Sequence, residues 1–298
     1  MTKTMGDKFS LVSINGQILD NPDAASISIW DTSFHRGDGV FEVLKIVGNG
    51  KIRSLKQHLV RLRTSAVAVG CPLPSDETLS EWLQMVATQC ANKGGYLRLI
   101  ATKGNSNYDS APSQVIINWF VGTKWPKTFT LLPLLAPWHV AGAPGWETPI
   151  KWTSYGPNVV SSSKAKAEGH SDALLLTGDR LACSASKLII DDCHVLDGPN
   201  FAIGWISGNT LHVPCCETLG LLPSITQGII VDLARSKLSL EVQQGVYTLK
   251  DLLSTGEEVF VMSTTRGIIP VTRIGNTELP QKSHEYVTKL KLLLEAVE

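Results

Sequence analysis

The stretch at residues 123–145, TKWPKTFTLLPLLAPWHVAGAPG, separates two parts of the chain that differ in composition. It contains four prolines together with glycine and tryptophan. Proline removes a backbone donor and glycine weakens regular structure, so such a stretch is typical of a connection between folded units. The sequence therefore predicts a small N-terminal domain at 1–122, an interdomain connection at 123–145 and a larger C-terminal domain at 146–298.

The part that precedes the connection has the pattern of a mixed helix and strand domain. Apolar residues at helical spacing predict a helix at 56–69, and Gly70 follows it as a stop signal. A second predicted helix begins at Ser75, a good N-cap residue, and ends near Gln89. Strands are predicted at 9–15, 40–48, 96–102 and 115–122.

The part that follows the connection shows the same mixture of short strands and helices. Pro157 and Gly169 are suited to the first turn and the C-terminal end of a helix between them. Further predicted elements are a helix at 225–238, a strand at 257–263 and a last helix at 283–297. Together the two parts predict an α+β fold class with two domains.

Charge and composition narrow the classes of function. The chain carries 27 Lys and Arg against 27 Asp and Glu, and this balance disfavours general nucleic-acid binding. No apolar run is long enough for a signal peptide or a membrane span, so neither is expected. The six cysteines have no zinc-ligand spacing, so no metal site is predicted. Cysteines without an export signal favour a cytoplasmic protein.

Lys151 is a candidate nucleophile. It follows Thr148-Pro149-Ile150 and precedes Trp152. An apolar setting lowers the pKa of a lysine and thereby favours attack on a carbonyl carbon. The alternative is a surface lysine whose stem lies along Trp152.

Two further stretches and one arginine are candidates for binding a phosphate. Residues 223–226 open a helix, whose first amides suit an anion. The hydroxyl cluster at 263–265 follows a strand, and Arg61 is a possible counter-charge. The alternatives are an ordinary N-cap at Ser224, plain turn chemistry and a solvated helix arginine.

The order of these motifs along the chain resembles the fold-type-IV pyridoxal-phosphate enzymes, or class IV aminotransferases. That family includes branched-chain and D-amino-acid aminotransferases and aminodeoxychorismate lyase. The matching stretches are RGDGVFEV at 36–43, HLVRL at 58–62, residues 151–160 and 164–176, LPSIT at 222–226, and residues 257–271.

The resemblance implies a fold-type-IV architecture with the cofactor cleft between two domains, the C-terminal domain binding most of the cofactor. Lys151 would be the catalytic lysine that holds pyridoxal 5'-phosphate as an imine. Tyr155 would lie near the phenolic oxygen of the cofactor, and its alternative is a core tyrosine. The phosphate would be held by Arg61, Ile225, Thr226, Ser263 and Thr264.

One motif departs from the family pattern. Members carry an acid that pairs with the pyridine nitrogen, whereas the best register places Ala182 at that position, and a shift by one places Cys183 there. Neither side chain is a carboxylate. The resemblance therefore implies a weaker electron sink.

The resemblance implies an aminotransferase that moves an amino group between an amino acid and a 2-oxo acid through Lys151. Pyruvate elimination, as in aminodeoxychorismate lyase, is an alternative, and a catalytically impaired cofactor-binding homologue is another. A homodimer is also implied. The subgroup motifs do not assign a substrate.

Overall fold

The computed structural model describes residues 11–139, 149–177, 190–280 and 284–297. No helix in these ranges is both long and apolar enough to cross a membrane.

The chain divides into two compact units. Unit 1 consists of Met1–Lys124 and Ile150–Tyr155, and unit 2 consists of Trp125–Pro149 and Gly156–Val297. The domain limits given above stay a prediction. In the units as found, a strand occupies part of the segment expected to connect the domains, and the short stretch around Lys151 belongs to unit 1.

Unit 1 is built on an antiparallel sheet with two helices against one face. Its described elements are β1 (Leu11–Ile14), β2 (Gln17–Ile18), α1 (Thr32–Arg36), β3 (Val40–Lys45), α2 (Leu55–Val69), α3 (Asp76–Gln89), β4 (Tyr96–Ala101) and β5 (Val115–Phe120). The strand order is β2-β1-β5-β4-β3. Burial alternates along β3, β4 and β5, so one face of the sheet meets the helices.

The helices of unit 1 confirm the predictions made for 56–69 and for the segment that begins at Ser75. The hydroxyl of Ser75 accepts a hydrogen bond from the Thr78 amide, which caps α3. Gly70 ends α2 with a positive φ of 65°. The apolar faces of both helices pack on the sheet in one core with Leu44 and Leu97.

Unit 2 is built on a larger mixed sheet. Its described elements are β6 (Phe129–Leu135), α4 (Gly156–Ala167), β7 (Asp172–Leu176), β8 (Ala202–Ser207), β9 (Thr210–Pro214), α5 (Cys216–Leu219), α6 (Ile225–Leu238), β10 (Glu241–Gly245), α7 (Leu249–Thr255), β11 (Glu258–Ser263), β12 (Gly267–Ile274), β13 (Thr277–Glu278) and α8 (Glu285–Glu295). The strand order is β10-β9-β8-β11-β12-β6-β7, with β13 on β12.

Helix α6 packs against the mixed sheet of unit 2. The pairs β9–β10, β12–β6 and β6–β7 are parallel, whereas β8, β11 and β12 pair antiparallel. Helix α6, predicted at 225–238, packs Ile230 and Val231 into one core with Phe260 and Met262 of β11. This packing fixes the start of the helix relative to the strand that ends at Ser263.

Candidate active site

Lys151 lies on an extended segment beside β3. The backbone carbonyl of Lys151 accepts a hydrogen bond from the Phe41 amide at 3.0 Å, and the Thr153 amide donates to the Gly39 carbonyl at 2.8 Å. On the other side, the Lys151 amide donates to the Ser65 hydroxyl of α2 at 3.0 Å. The lysine backbone is therefore held between the edge strand and a helix of unit 1.

A glycine allows this segment to approach the end of α1. Gly37 has a φ of 68°, and its carbonyl accepts a hydrogen bond from the Ser154 hydroxyl at 2.9 Å. A Cβ atom at position 37 would collide with that hydroxyl. The position therefore requires glycine for both its conformation and the close contact.

The amine of Lys151 faces aromatic rings. Its Nζ is 4.4 Å from the ring centroid of Phe41 and 5.9 Å from that of Tyr155. These two rings meet edge to face, with centroids 5.3 Å apart. The nitrogen thus lies over Phe41, and Tyr155 is part of the same cluster.

A buried charged group lies on the other face of β3. The Glu42 carboxylate is 1% exposed and accepts two hydrogen bonds from Arg61, from Nε to Oε1 and from Nη2 to Oε2, each 2.7 Å long. Burial by itself raises the pKa of Glu42, but the hydrogen bonds and charge of Arg61, together with His58, lower it to about 2. The carboxylate is therefore ionised at neutral pH.

His58 completes this charged group. Its Nδ1 lies 2.7 Å from Oε2 of Glu42. Burial lowers the pKa of His58, and Glu42 opposes the shift, while the charges of Arg61 and Lys151 act with burial. A neutral ring beside a carboxylate carries its hydrogen on the nitrogen that faces the carboxylate. Nδ1 therefore donates to Glu42, and Nε2 is left as an acceptor.

Arg98 is a candidate residue that the sequence reasoning missed. It lies on β4 opposite Val43, and Ile100 pairs with Phe41, so Arg98 shares a sheet face with Phe41. Burial lowers the pKa of Arg98, and Tyr155 acts in the opposite direction. The available signal was an arginine within the alternating pattern YLRLIA.

Glu42 and His58 lie inside the motifs at 36–43 and 58–62, and neither was predicted as a site residue. Glu42 stands between Val40 and Leu44 on the apolar face of β3, and a carboxylate at such a position indicates a buried partner. His58 precedes Arg61 by three residues, so both lie on one face of α2. These two patterns are the indirect signals of the group that the sequence carries.

In unit 2, the start of α6 presents amides. Ser224 is the N-cap, and its hydroxyl accepts a hydrogen bond from the Gln227 amide at 3.2 Å. Ile225 and Thr226 occupy the first turn, where no carbonyl of the helix accepts from their amides. Such amides attract an anion, and the helix dipole adds to the attraction.

The turn after β11 presents hydroxyls. The last pair of the β11–β12 hairpin is Ser263 with Gly267, so Thr264 lies in the connecting turn. Ser263 and Thr264 are half-buried. The Arg266 amide donates to the Ser263 hydroxyl at 3.3 Å. The turn is therefore an ordered one.

The predicted site residues fall into two groups. Lys151, Arg61 and Tyr155 lie in unit 1, where the structure places Lys151 beside Tyr155. The four residues predicted to bind phosphate through amides and hydroxyls lie in unit 2. Ala182 and Cys183, the two candidates for the altered ring-nitrogen position, lie outside the described residues.

Comparisons with known proteins match this chain to a family and to a named relative. A family model described as amino-transferase class IV matches residues 39–274. The chain is 26% identical over 288 residues to a D-alanine aminotransferase of Listeria monocytogenes serotype 1/2a (strain 10403S), covering 90% of this chain and 89% of that protein.

Two solved structures are similar in fold. One is the branched-chain amino acid aminotransferase from Escherichia coli, with a TM-score of 0.77 and 20% identity, covering 96% of this chain and 92% of that one. The other is 4-amino-4-deoxychorismate lyase from Pseudomonas aeruginosa, with a TM-score of 0.72 and 21% identity, covering 95% and 98%.

Proposed function

The chain belongs to the class IV aminotransferase family of pyridoxal-phosphate-dependent enzymes and has the fold-type-IV architecture predicted from its sequence, and from this premise we propose that it transfers an amino group between an amino acid and a 2-oxo acid. The proposal includes pyridoxal 5'-phosphate as the cofactor of this chain. It rests above all on the position of Lys151.

The surroundings of Lys151 support its assignment as the catalytic lysine. Its Nζ lies over the ring of Phe41, and its backbone is held by the Phe41 amide of β3 and the Ser65 hydroxyl of α2. The held backbone and the aromatic contact keep the amine in one place, as a lysine that attacks a carbonyl carbon requires. In this proposal, Nζ holds the cofactor covalently and carries the proton to and from the substrate α-carbon.

The donor set suits the phosphate of the cofactor. We assign the phosphate to one guanidinium, two helix amides and two hydroxyls, those of Arg61, Ile225, Thr226, Ser263 and Thr264. All of them are N–H or O–H donors, as a phosphate dianion requires. An arginine has five N–H donors, so the same guanidinium is able to serve Glu42 and a phosphate together.

The remaining parts of the cofactor and the substrate are assigned by chemistry. When bound, pyridoxal phosphate supplies an electron sink that stabilises negative charge at the substrate α-carbon. Tyr155 is suited to donate its hydroxyl to the phenolic oxygen, since its ring belongs to the Lys151 cluster. Arg98 is suited to bind a substrate carboxylate from the same sheet face as Phe41.

An absorbance spectrum tests the cofactor assignment. The full-length protein mixed with pyridoxal phosphate is expected to gain a band at the edge of the visible range. Borohydride is then expected to remove that band, because it reduces the imine to an amine, and to leave the cofactor covalently attached to the protein. The Lys151→Ala variant is expected to lose the band, whereas Lys56→Ala, which removes an exposed lysine of α2, is expected to keep it. A protein that takes up no cofactor would contradict the proposal.

Amino donors then test the reaction. D-alanine, L-leucine and L-glutamate are each offered with a 2-oxo acid, and the new amino acid is measured by chromatography. Formation of product with any pair supports amino transfer. Pyruvate release from 4-amino-4-deoxychorismate, with no product from any donor, would instead favour the lyase alternative. No turnover in either assay would favour an impaired homologue.

The assembly and location are also proposals. Large apolar side chains are exposed on unit 1 at Ile29, Trp30, Phe34 and Tyr108, and Trp30 stacks on Tyr108 with centroids 4.9 Å apart. Exposed apolar patches of this kind indicate an interaction site, and we assign it to a second copy of the chain. The described cysteines form no disulfide, which supports a cytoplasmic location.

A further inference from the structure

Arg266 is a buried cation directly beneath the turn that follows β11. Its side chain is 3% exposed, although Ser263, Thr264 and Thr265 before it are half-buried. Nη2 donates to Oδ2 of Asp172 at 3.1 Å, and Nη1 donates to the carbonyl of Asn200 at 2.9 Å. A charge at this depth is stable only with such partners.

Aromatic rings surround the guanidinium and also hold the turn. The guanidinium carbon is 4.3 Å from the ring centroid of Trp125 and 5.3 Å from that of Phe201. Nε1 of Trp125 donates to the carbonyl of Thr265 at 3.1 Å. Trp125 therefore binds both the side chain of Arg266 and the backbone of the residue before it.

Asp172 extends the network to α4. Its Oδ1 accepts hydrogen bonds from the Ser162 hydroxyl at 2.7 Å and from the Ala173 amide at 3.0 Å, while Oδ2 accepts from Arg266. The turn, the start of β7 and helix α4 are thus joined through one carboxylate within unit 2. Hairpin turns are otherwise free to shift, because their residues lack ladder hydrogen bonds.

We propose that Arg266 is a positioning residue that, with Trp125 and Asp172, holds the hydroxyls of the 263–265 turn where a cofactor phosphate binds. The inference rests on the proposed function, which assigns the phosphate to this turn. Arg266 itself touches no reacting atom in this scheme; its side chain acts through Trp125, whose indole N–H donates to the Thr265 carbonyl.

The test compares the dissociation constants of two aldehydes, pyridoxal phosphate and pyridoxal, for the full-length protein. Both are able to react with the same lysine, but only one carries the phosphate. Arg266→Met is expected to raise the dissociation constant of pyridoxal phosphate about tenfold and to change that of pyridoxal by less than about twofold. The two differ because a displaced turn affects only the contacts with the phosphate. Trp125→Phe keeps a ring but removes the donor to Thr265, and about a threefold loss specific to the phosphate form is expected.

Arg273→Met is the matched control, since Arg273 lies on β12 away from the turn and pairs with Glu278. It is expected to leave the ratio of the two constants unchanged. A purely structural role of Arg266 would lower the melting temperature without changing that ratio, and this result would overturn the proposal. If Arg266→Met does not fold, Trp125→Phe decides in the same way.

Thr264→Val separates this inference from the proposed function. The phosphate preference is the ratio of the dissociation constant of pyridoxal to that of pyridoxal phosphate. If Thr264→Val lowers this preference and the Arg266 and Trp125 variants do not, Arg266 has no positioning role and the phosphate assignment stands. If Thr264→Val also leaves the preference unchanged, the turn does not bind the phosphate, and the inference fails with that assignment.

Discussion

Glu42 brings a negative charge into the core of unit 1, and its neighbours determine whether the charge is tolerated. A buried carboxylate without partners becomes protonated, because desolvation disfavours the ionised form. Here Arg61 donates two hydrogen bonds and His58 lies at 2.7 Å, so the pKa falls to about 2 despite burial. The same contacts hold Arg61 in one orientation, which suits the phosphate contact proposed for it.

The pH dependence of stability in a Glu42 variant tests whether the ionised carboxylate stabilises the fold. Since its pKa in the folded protein is about 2 against 4.5 for an ordinary glutamate, the stabilisation is fully present above about pH 4.5 and is lost as the pH falls toward 2. Glu42→Gln is expected to lower the free energy of unfolding by about 3 kcal/mol at pH 7. The difference from the wild type should shrink toward pH 2, as measured by urea titration.

The control for this prediction is Glu81→Gln, which changes an exposed glutamate of α3. We expect an effect below about 0.5 kcal/mol at pH 7. If the free energies of unfolding of Glu42→Gln and the wild type differ by the same amount at pH 7 and at pH 3, the charge of Glu42 is not what stabilises the fold.

Single residues differ in how far the sequence could predict them. Lys151 and Arg61 were found because they stand inside recognisable motifs, and their roles in binding remain predictions. The pair of Arg61 with Glu42 joins residues 19 positions apart, and Arg98 approaches Phe41 only through strand pairing. Such contacts depend on the tertiary fold, so local spacing gives only indirect signals of them.

At the scale of elements, the N-cap of α6 combines stability with binding. Ser224 and Ser75 are both N-caps, and the hydroxyl of each accepts a hydrogen bond of 3.2 Å from the amide of the third residue of its helix. The Ser75 hydroxyl also lies 3.2 Å from the Thr78 hydroxyl. Removing either hydroxyl is expected to lower the free energy of unfolding by about 1 kcal/mol. Only Ser224→Ala is expected to weaken the binding of pyridoxal phosphate as well, because the first turn of α6 carries the amides assigned to the phosphate.

The measurement pairs chemical denaturation with cofactor titration in both variants. Equal losses of cofactor affinity in Ser224→Ala and Ser75→Ala would mean that the effect arises from general destabilisation. An unchanged affinity in Ser224→Ala would argue against the α6 amides as phosphate ligands.

Elements differed in how well the sequence revealed them. The helices α2, α3 and α6 follow a periodicity that local sequence determines, and their caps mark the ends. Strand β6 was concealed by the prolines of the 123–145 stretch. Pro133 is tolerated there because the pairing of β6 with β12 ends at Leu131, so its missing N–H interrupts no bond to β12.

At the scale of the whole molecule, the order of motifs was more informative than any one of them. Each stretch had an ordinary structural explanation, but the lysine segment, the helix start and the late hydroxyl turn follow one another as in a single family. The family model matches residues 39–274, which span all three. Substrate choice depends on side chains brought together by the fold, and the sequence alone did not reveal them.

Assembly is a property of the whole molecule. Phe34 is 62% exposed and lies on α1, which begins two residues after Trp30 of the exposed pair with Tyr108; these residues are assigned to contact with a second copy. Phe34→Asp places a charge at that contact, and an unpaired buried charge opposes association. We expect the wild type to have the mass of a dimer by light scattering and Phe34→Asp that of a monomer. Val67→Asp, which changes an exposed residue of α2, is expected to remain a dimer. A monomeric wild type, or a dimeric Phe34→Asp, would show that the residues assigned to this contact serve another purpose.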